Sequence, residues 1–256
     1  MGNLFSIDGK TALVTGGSRG IGRMIARAYV EHGAKVYISS RKAEICQAVA
    51  EEFSENGECI ALPADLSNTD EVERLANEMG ERESQLDILI NNAGATWGAS
   101  LDEFPEKGWD KVMELNVKSV FFLTQKLLPL LDAAATRADP ARVINIGSVD
   151  GLHLSKFENF SYSPSKAAVH HLTRMTAIHL AARNITVNAI APGPFETQMM
   201  APMIEKMGDT IRAAVPLQRF GESEDIAGLA IFLAARASAY ITGSVIPLDG
   251  GIIASS

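Results

Sequence analysis

Short runs rich in β-branched residues alternate along the chain with longer stretches of helical periodicity. The runs predict strands at 11–15, 35–40, 58–62, 86–91, 142–147, 186–191 and 244–248. The stretches between them predict helices near 21–32, 42–55, 69–83, 109–131, 162–182 and 223–235. Several strands are almost continuously apolar, which is typical of a parallel sheet covered by helices on both faces. The alternation therefore predicts an α/β fold of the Rossmann type, a doubly wound parallel sheet of about seven strands.

No linker or repeat divides the 256 residues, so we expect a single domain over 1–256. Residues 194–215 lie between prolines and are rich in methionine, and we interpret them as a mobile substrate flap of short helices. The formal net charge of −8 disfavours nucleic acid and anionic membranes as partners. Cys46 and Cys59 are too few for a disulfide scaffold, and no Cys/His cluster has metal-ligand spacing, so we expect no metal.

The N-terminus lacks the basic, apolar and small-residue segments of a secretion signal. No run of about 18 uninterrupted apolar residues is present, so we expect no membrane span. Together with the low cysteine count, this favours a reduced, cytoplasmic setting. The residues from Met1 to Ser6 match the loose pattern for N-myristoylation, which is short enough to arise by chance.

The first predicted strand runs into a glycine-rich turn, Thr15-Gly16-Gly17-Ser18-Arg19-Gly20-Ile21-Gly22. Glycines let a backbone turn tightly and approach a pyrophosphate, which the free N–H groups at a helix N-terminus stabilise. The turn therefore predicts a dinucleotide site formed by Gly16, Ser18, Arg19, Gly20, Ile21 and Gly22. The alternative is a tight strand–helix turn without a ligand, but its place after the first strand favours the site.

The end of the second strand favours NADP(H) over NAD(H). An NAD site needs a carboxylate there for the ribose hydroxyls, and this strand instead ends with Ser40, Arg41 and Lys42. Ser40 and Arg41 can bind a 2′-phosphate, and Arg19 in the glycine turn favours the same anion. The alternative is that Arg41 and Lys42 only decorate a helix start, where a cation is poorly placed because the dipole favours anions.

Two further strand ends carry residues suited to the same ligand. Asp65 follows the third strand, where its carboxylate could accept a hydrogen bond from the adenine amino group beside Leu66; the alternative is a turn or helix-capping residue. Asn92, Ala93 and Gly94 end the fourth strand at the carboxyl edge, where ligands of such sheets bind. The asparagine amides of this segment could hold the loop and a ribose, and the alternative is ordinary turn chemistry.

A serine, a tyrosine and a lysine are spaced to polarise a carbonyl group. Tyr162 and Lys166 are four residues apart at the start of a predicted helix, so both project from one face. Ser148 closes the fifth strand at the same sheet edge. The Ser148 hydroxyl would orient the carbonyl oxygen, and Tyr162 would donate a proton with its pKa lowered by the Lys166 ammonium. Asn116 could hold a water that links the lysine to solvent.

The joint order of the glycine turn, Asn-Asn-Ala-Gly, a later Asn, a Ser and Tyr-x-x-x-Lys resembles the short-chain dehydrogenase/reductase family over nearly the whole chain. The resemblance implies four catalytic residues, namely Asn116, Ser148, Tyr162 and Lys166. It also implies cofactor contacts from Tyr162, Lys166, Pro192, Gly193 and Thr197, with Ile190 and Asn92 lining the cofactor. The cofactor is then NADP(H), and the assembly a homotetramer or homodimer.

Within the family, the chain is similar to the NADPH-dependent reductases of 3-oxoacyl thioesters, carried on acyl carrier protein or on coenzyme A. The alternatives are a dehydrogenase of a sugar, steroid or other secondary alcohol, and a catalytically silent NADP-sensing protein. An acidic carrier would need a basic docking patch. The arginines available for it are Arg137, Arg142, Arg174 and Arg183. We interpret His170 and His171 as surface or interface residues.

Overall fold

A parallel sheet of seven strands forms the centre of the protein, in a computed structural model that describes residues 3–154 and 157–255. The strands are β1 (Thr11–Thr15), β2 (Lys35–Ser39), β3 (Cys59–Ala61), β4 (Ile88–Asn91), β5 (Ala141–Ile146), β6 (Ile185–Pro192) and β7 (Val245–Leu248). Their order is β3-β2-β1-β4-β5-β6-β7, and every neighbouring pair is parallel. The order reverses between β1 and β4, so a crevice opens there at the carboxyl ends of the strands. The predicted Rossmann-type fold is confirmed.

Helices cover both faces of the sheet. They are α1 (Gly20–Glu31), α2 (Ala43–Ser54), α3 (Thr69–Arg82), α4 (Glu106–Met113), α5 (Ser119–Ala134), α6 (Tyr162–Leu180), α7 (Ala201–Ala214) and α8 (Ser223–Ala234). One apolar cluster joins the sheet to α1, α2 and α8, and a second joins its other face to α3, α5 and α6. The five inner strands are buried from both sides, which explains why their sequences are continuously apolar rather than alternating.

The helix predicted over 109–131 is longer in the structure than predicted, and a turn of a different helical type interrupts it. α4 passes into a π-helical turn, Glu114–Lys118, before α5 continues the same path. A π turn inserts one extra residue into an α-helix and is frequent at functional sites. Asn116 lies within it and is 1% exposed. The extra residue therefore changes which helix face carries Asn116.

The methionine-rich segment contains one helix with a kink. α7 has non-helical backbone angles at Met207, and none of its residues is buried. Met199 and Met207 expose large apolar surfaces. Earlier in the segment, Phe195 is buried and pairs with Gly221. The segment is thus fixed at its start, while its helix lies on the surface.

Within residues 3–154 and 157–255, no helix is long and apolar enough to cross a membrane. Over the same residues, no group of three or more His, Cys, Asp or Glu side chains is arranged to hold a metal ion. Cys46 and Cys59 are free thiols, and both are buried. The start of the myristoylation pattern, Met1 and Gly2, lies outside the described residues.

Candidate active site

The glycine turn after β1 is packed too tightly for side chains. Gly16 and Gly20 have φ of 66° and 53°, in the left-handed region that favours glycine. A Cβ added to Gly22 would lie 2.3 Å from Asn92 Nδ2 and 2.4 Å from the Gly16 carbonyl oxygen. Arg19, at the N-cap of α1, makes no side-chain capping bond, and the first turn carries no acidic residue. The first N–H groups of α1 and the positive end of its dipole therefore suit an anion.

Asn92 holds the glycine turn in place. Its Nδ2 donates to the Thr15 carbonyl oxygen at 2.8 Å, and its backbone N–H donates to Thr15 Oγ1 at 2.9 Å. The backbone N–H of Ala93 donates to the same hydroxyl at 3.0 Å. Of the two roles predicted for the amide, holding the loop is observed. Thr15 was missed by the sequence analysis, although a hydroxyl that ends a buried strand is a detectable signal.

The end of β2 presents hydroxyl groups that lack strong partners. Ser39 Oγ and Ser40 Oγ are buried and make no well-formed hydrogen bond, and the weakly polar Cys46 thiol lies next to Ser40. Arg41 follows and is exposed. Burying a hydroxyl without a partner costs free energy, and a bound phosphate oxygen would supply one. The residues predicted to select NADP(H) therefore fit that group.

Asp65 forms a turn. Its Oδ1 accepts hydrogen bonds from the Ser67 backbone N–H at 3.1 Å and from Ser67 Oγ at 2.8 Å. The N-cap of α3 is Asn68. The turn interpretation of Asp65 is thus observed, and the adenine contact stays a prediction. Leu66 is buried in the apolar core, so only its backbone is available to a ligand.

Ser148, Tyr162 and Lys166 meet at the carboxyl edge of β5. Ser148 follows β5 and begins a short 3₁₀ turn, Val149–Gly151, and Tyr162 is the first residue of α6. The Ser148 hydroxyl lies close enough to the Tyr162 hydroxyl to lower the pKa of the phenol. Lys166 Nζ lies 5.5 Å from the centroid of the Tyr162 ring and donates to the Ile146 carbonyl oxygen at 2.8 Å. The structure therefore brings together the three residues that the sequence predicts to act on a carbonyl.

The electrostatics of this group differ from the prediction. Burial raises the pKa of Tyr162 to about 12; the Ser148 hydrogen bond lowers it, and the Asp150 charge raises it further. Burial lowers the pKa of Lys166 to about 8. The predicted lowering of the phenol pKa is therefore not seen in the protein alone, because burial outweighs the effects that lower it. At neutral pH the phenol is protonated and can donate a proton.

Asn116 joins the loop after β4 to α6. Its Oδ1 accepts from the Ala95 backbone N–H at 2.8 Å, and its Nδ2 donates to the Ala95 carbonyl oxygen at 3.0 Å and to Ser165 Oγ at 2.9 Å. Ser165 Oγ in turn donates to the Tyr162 carbonyl oxygen at 2.6 Å. Both amide N–H groups are thus used within the protein. The observed role is to hold the start of α6, and the water contact stays a prediction.

The segment after β6 closes the other side of the crevice. The Gly193 backbone N–H donates to the Leu248 carbonyl oxygen at 2.9 Å, and a Cβ on Gly193 would lie 2.8 Å from the Asp249 Cα. A Cβ on Gly20 would lie 3.5 Å from the Thr197 methyl group. Thr197 therefore adjoins the glycine turn. Ile190, expected to line the cofactor, is instead fully buried in the core.

Two predicted surface residues are buried. His170 is 2% exposed, and its ring packs against Gly147 and Gly151 behind Ser148. The interpretation of His170 as a surface residue is wrong. Arg142 is also buried and bonds to Pro140, Ala235 and Asp139. It therefore cannot contribute to a carrier-docking patch.

The chain is similar to known proteins along its whole length. A family model described as enoyl-(acyl carrier protein) reductase matches residues 16–253. The rhamnolipids biosynthesis 3-oxoacyl-(acyl-carrier-protein) reductase of Pseudomonas aeruginosa is 51% identical over 249 residues, which cover 96% of this chain and 97% of that protein. The 3-oxoacyl-(acyl-carrier-protein) reductase of Thermotoga maritima is 34% identical, with coverage of 96% and 99%.

Solved structures agree with the fold. The RhlG/NADP active-site complex of Pseudomonas aeruginosa is 50% identical, with a TM-score of 0.95 and coverage of 99% of this chain and 100% of that one. A gluconate 5-dehydrogenase of Burkholderia cenocepacia, in complex with NADP and tartrate, is 32% identical with a TM-score of 0.91 and coverage of 99% and 98%. The same fold thus occurs in proteins named for different substrates.

Proposed function

Because this chain belongs to the short-chain dehydrogenase/reductase family, we propose that it is an NADPH-dependent enzyme that reduces a 3-oxoacyl thioester to the 3-hydroxyacyl thioester. The observation that carries this proposal is the group of Ser148, Tyr162 and Lys166 at the carboxyl edge of β5. It occurs in a chain that is 51% identical to a 3-oxoacyl-(acyl-carrier-protein) reductase over almost its full length.

The residues around the crevice suit NADP(H). The diphosphate would lie at the start of α1, and the 2′-phosphate would contact Ser40 and Arg41. The remaining contacts would come from Asp65 and the Leu66 backbone for adenine, from Asn92, Ala93 and Gly94 for the ribose, and from Pro192, Gly193 and Thr197 for the carboxamide. When bound, the cofactor supplies the hydride that reduces the carbonyl carbon.

Tyr162 is the general acid of the proposed reaction. Its hydroxyl, protonated at neutral pH, donates a hydrogen bond and then its proton to the carbonyl oxygen. Ser148 orients that oxygen, since its hydroxyl lies beside the same phenol. The buried Lys166 ammonium stabilises the phenolate that remains, because opposite charges attract strongly where water is excluded. Asn116 positions Tyr162 through Ser165.

Turnover of acetoacetyl-CoA with NADPH tests the proposal. Tyr162→Phe removes only the proton donor, so we expect kcat to fall about 10²–10⁴-fold while NADPH affinity is retained. Tyr240→Phe is the matched control, because Tyr240 is fully exposed. Near-normal turnover by Tyr162→Phe would overturn the mechanism. Reduction of crotonyl-CoA instead of acetoacetyl-CoA would assign the enoyl reaction named by the family model.

Arg41→Ala tests the cofactor assignment. Loss of a charged hydrogen bond to the 2′-phosphate should weaken NADPH binding by about 1–3 kcal/mol and leave NADH binding nearly unchanged. Arg82→Ala serves as control, because it removes the same charge at the end of α3, next to Glu83, which pairs with Lys35 at the opposite, amino end of β2. An equal loss of affinity for both cofactors would mean that Arg41 does not contact the phosphate.

A second candidate is oxidation of a sugar acid, supported by the likeness to the gluconate 5-dehydrogenase structure. Gluconate with NADP⁺ against acetoacetyl-CoA with NADPH separates the two activities. The same assay, repeated with carrier-bound and coenzyme A thioesters, identifies the carrier. Binding of NADPH without turnover of any ketone or alcohol would favour the silent cofactor-sensing alternative.

The exposed apolar side chains, the kinked helix and the free thiols bear on the oligomeric state, the substrate flap and the cellular compartment. Phe121 on α5 and Met175 and Ile178 on α6 are large apolar side chains that are exposed. A second copy packed against these helices would cover them, which supports a homodimer or homotetramer. The kink at Met207 supports a substrate flap over 194–215 within a single domain. The two free thiols support a cytoplasmic setting.

A further inference from the structure

One acidic side chain beside the reacting groups has no part in the proposed mechanism. Asp150 lies two residues after Ser148, and its backbone N–H donates to Ser148 Oγ at 3.2 Å. Its carboxylate is mostly buried, with 20% of the side chain exposed. Its charge is close enough to Tyr162 to act on the ionisation of the phenol. A carboxylate therefore lies within electrostatic range of the atom that would donate the proton.

The carboxylate is held in place from two sides. Asn159 Nδ2 donates to Asp150 Oδ2 at 3.4 Å, and the Asn159 carbonyl oxygen accepts from the Tyr162 backbone N–H at 2.8 Å. His153 Nε2 lies 3.9 Å from Asp150 Oδ1. Asp150 is thus tied to both Ser148 and the start of α6. A substrate whose carbonyl contacts Ser148 and Tyr162 would therefore lie in the electric field of the Asp150 carboxylate.

We propose that Asp150 selects the substrate class by repelling substrates that carry a carboxylate near the reacting carbonyl. In a free 3-oxo acid the carboxylate carbon is only two bonds from the carbonyl carbon, so its charge must approach Asp150. A thioester is neutral at the same position. This inference rests on the proposed function and deepens it, because it predicts discrimination between a thioester and the corresponding free acid, and also against sugar acids.

The size of the effect follows from Coulomb attraction and repulsion near a protein surface. Asp150 and the substrate carboxylate are like charges, separated by a few bond lengths more than contact distance. At the effective dielectric of a partly buried site, their repulsion should lower kcat/KM for the acid relative to the thioester by about tenfold or more. A purely structural role for Asp150 would instead change kcat/KM for neutral and anionic substrates by the same factor. The ratio between the two substrates is therefore the informative quantity.

The discrimination should weaken in acid. Burial raises the pKa of Asp150, while Asn159 and His153 oppose that shift, so falling pH neutralises the carboxylate earlier than for an exposed acid. The turn packs against α6, whose Tyr162, Lys166 and His170 are the titratable side chains at this end, and against β6, which carries no charged residue. The assays are therefore run on the alkaline side, at pH 8, where the ionised form of Asp150 is favoured.

The experiment measures kcat/KM with NADPH at pH 8 for acetoacetate, ethyl acetoacetate and acetoacetyl-N-acetylcysteamine. The wild type should prefer the neutral ester and thioester. In Asp150→Asn, the ratio of kcat/KM for the neutral substrates to kcat/KM for acetoacetate should fall about tenfold. Asp150→Glu retains the charge and should largely keep the wild-type ratio. Glu55→Gln is the matched control, since it removes one exposed charge at the end of α2.

An unchanged ratio in Asp150→Asn, or an equal narrowing in Asp150→Glu, would overturn the inference. Failure of the wild type to reduce any 3-oxoacyl thioester would refute the proposed function, but the ester and acid pair would still test Asp150. If no ketone is reduced, the ionisation of Tyr162 is followed by tyrosinate absorbance against a Tyr162→Phe background. Tyr162 should then ionise at lower pH in Asp150→Asn than in the wild type. An unshifted titration of Tyr162 would refute the role assigned to Asp150.

Discussion

Acidification should destabilise the protein through His170. The ring fills the space behind the strand end that carries Ser148: a Cβ on Gly147 would lie 2.0 Å from His170 Nε2, and one on Gly151 would lie 2.8 Å from Cε1. Neither ring nitrogen makes a well-formed hydrogen bond, and the Gly151 backbone is the nearest polar group. Burial lowers the pKa of His170 to about 4. A proton therefore binds His170 more weakly in the folded chain than in the unfolded chain.

The sign and size follow from linkage between protonation and folding. The folded pKa is about 4 and the ordinary value is 6.5, so the stabilisation from neutral His170 is complete above pH 6.5 and is lost as pH falls towards 4. Between pH 7.5 and 4.5 this single group should remove about 2–3 kcal/mol from the free energy of unfolding. That is a large part of the roughly 5–15 kcal/mol by which proteins are stable.

Urea unfolding of the wild type, His170→Gln and His171→Gln at the two pH values and one protein concentration measures this loss. His171 is exposed and adjacent in sequence, which makes it the matched control. The wild type and His171→Gln should lose about 2–3 kcal/mol more on acidification than His170→Gln. If His170→Gln does not fold, His170→Met replaces it. Equal acid sensitivity of the wild type and a folded His170 variant would refute the reasoning.

Three other substitutions give specific expectations. Gly22→Ala places a methyl group 2.3 Å from Asn92 Nδ2, so thermal unfolding should show a loss of about 1–3 kcal/mol, and fluorescence titration should show weaker NADPH binding. Gly228→Ala on α8 meets nothing within 4 Å and should be neutral or slightly stabilising; a similar loss there would contradict the packing argument. Asn116→Ala removes the hydrogen bonds to Ala95 and Ser165, so kcat should fall while the Kd for NADPH changes little. A loss of NADPH affinity without a fall in kcat would instead assign Asn116 a role at the cofactor.

The sequence was informative wherever one residue type or one strand end decides the geometry. Ser148, Tyr162 and Asn92 were predicted to lie at one edge because the carboxyl ends of parallel strands meet there. The glycine turn was predictable for a similar reason, since positive φ at Gly16 and Gly20 is a local demand of the backbone. These features depend on short-range rules and on the direction of the strands.

The sequence was not informative where long-range packing decides. The π turn at Glu114–Lys118 leaves no mark in a 3.6-residue period, so the bonds from Asn116 to Ala95 could not be foreseen. The pKa of Tyr162 depends on burial, which a Tyr-x-x-x-Lys spacing does not contain. The burial of His170 was not predicted, although the sequence carries a signal for it. His170 is four residues after Lys166, on the same buried stripe of α6 as Thr173.

Neutral amides fix the site, and few charges act within it. Beneath the site, Asn91 Nδ2 donates to Asn145 Oδ1 at 2.9 Å, and Asn145 Nδ2 donates to Thr173 Oγ1 at 2.9 Å, so β4, β5 and α6 are joined without a charge. Amides hold geometry at every pH, whereas Lys166 and Asp150 change charge with pH. The shape of the site should therefore persist across the range in which its charges titrate. Above pH 6.5, where neutral His170 keeps its full stabilising effect, a pH profile of kcat/KM then reports chemistry at Tyr162 and its two charged neighbours rather than a change of structure.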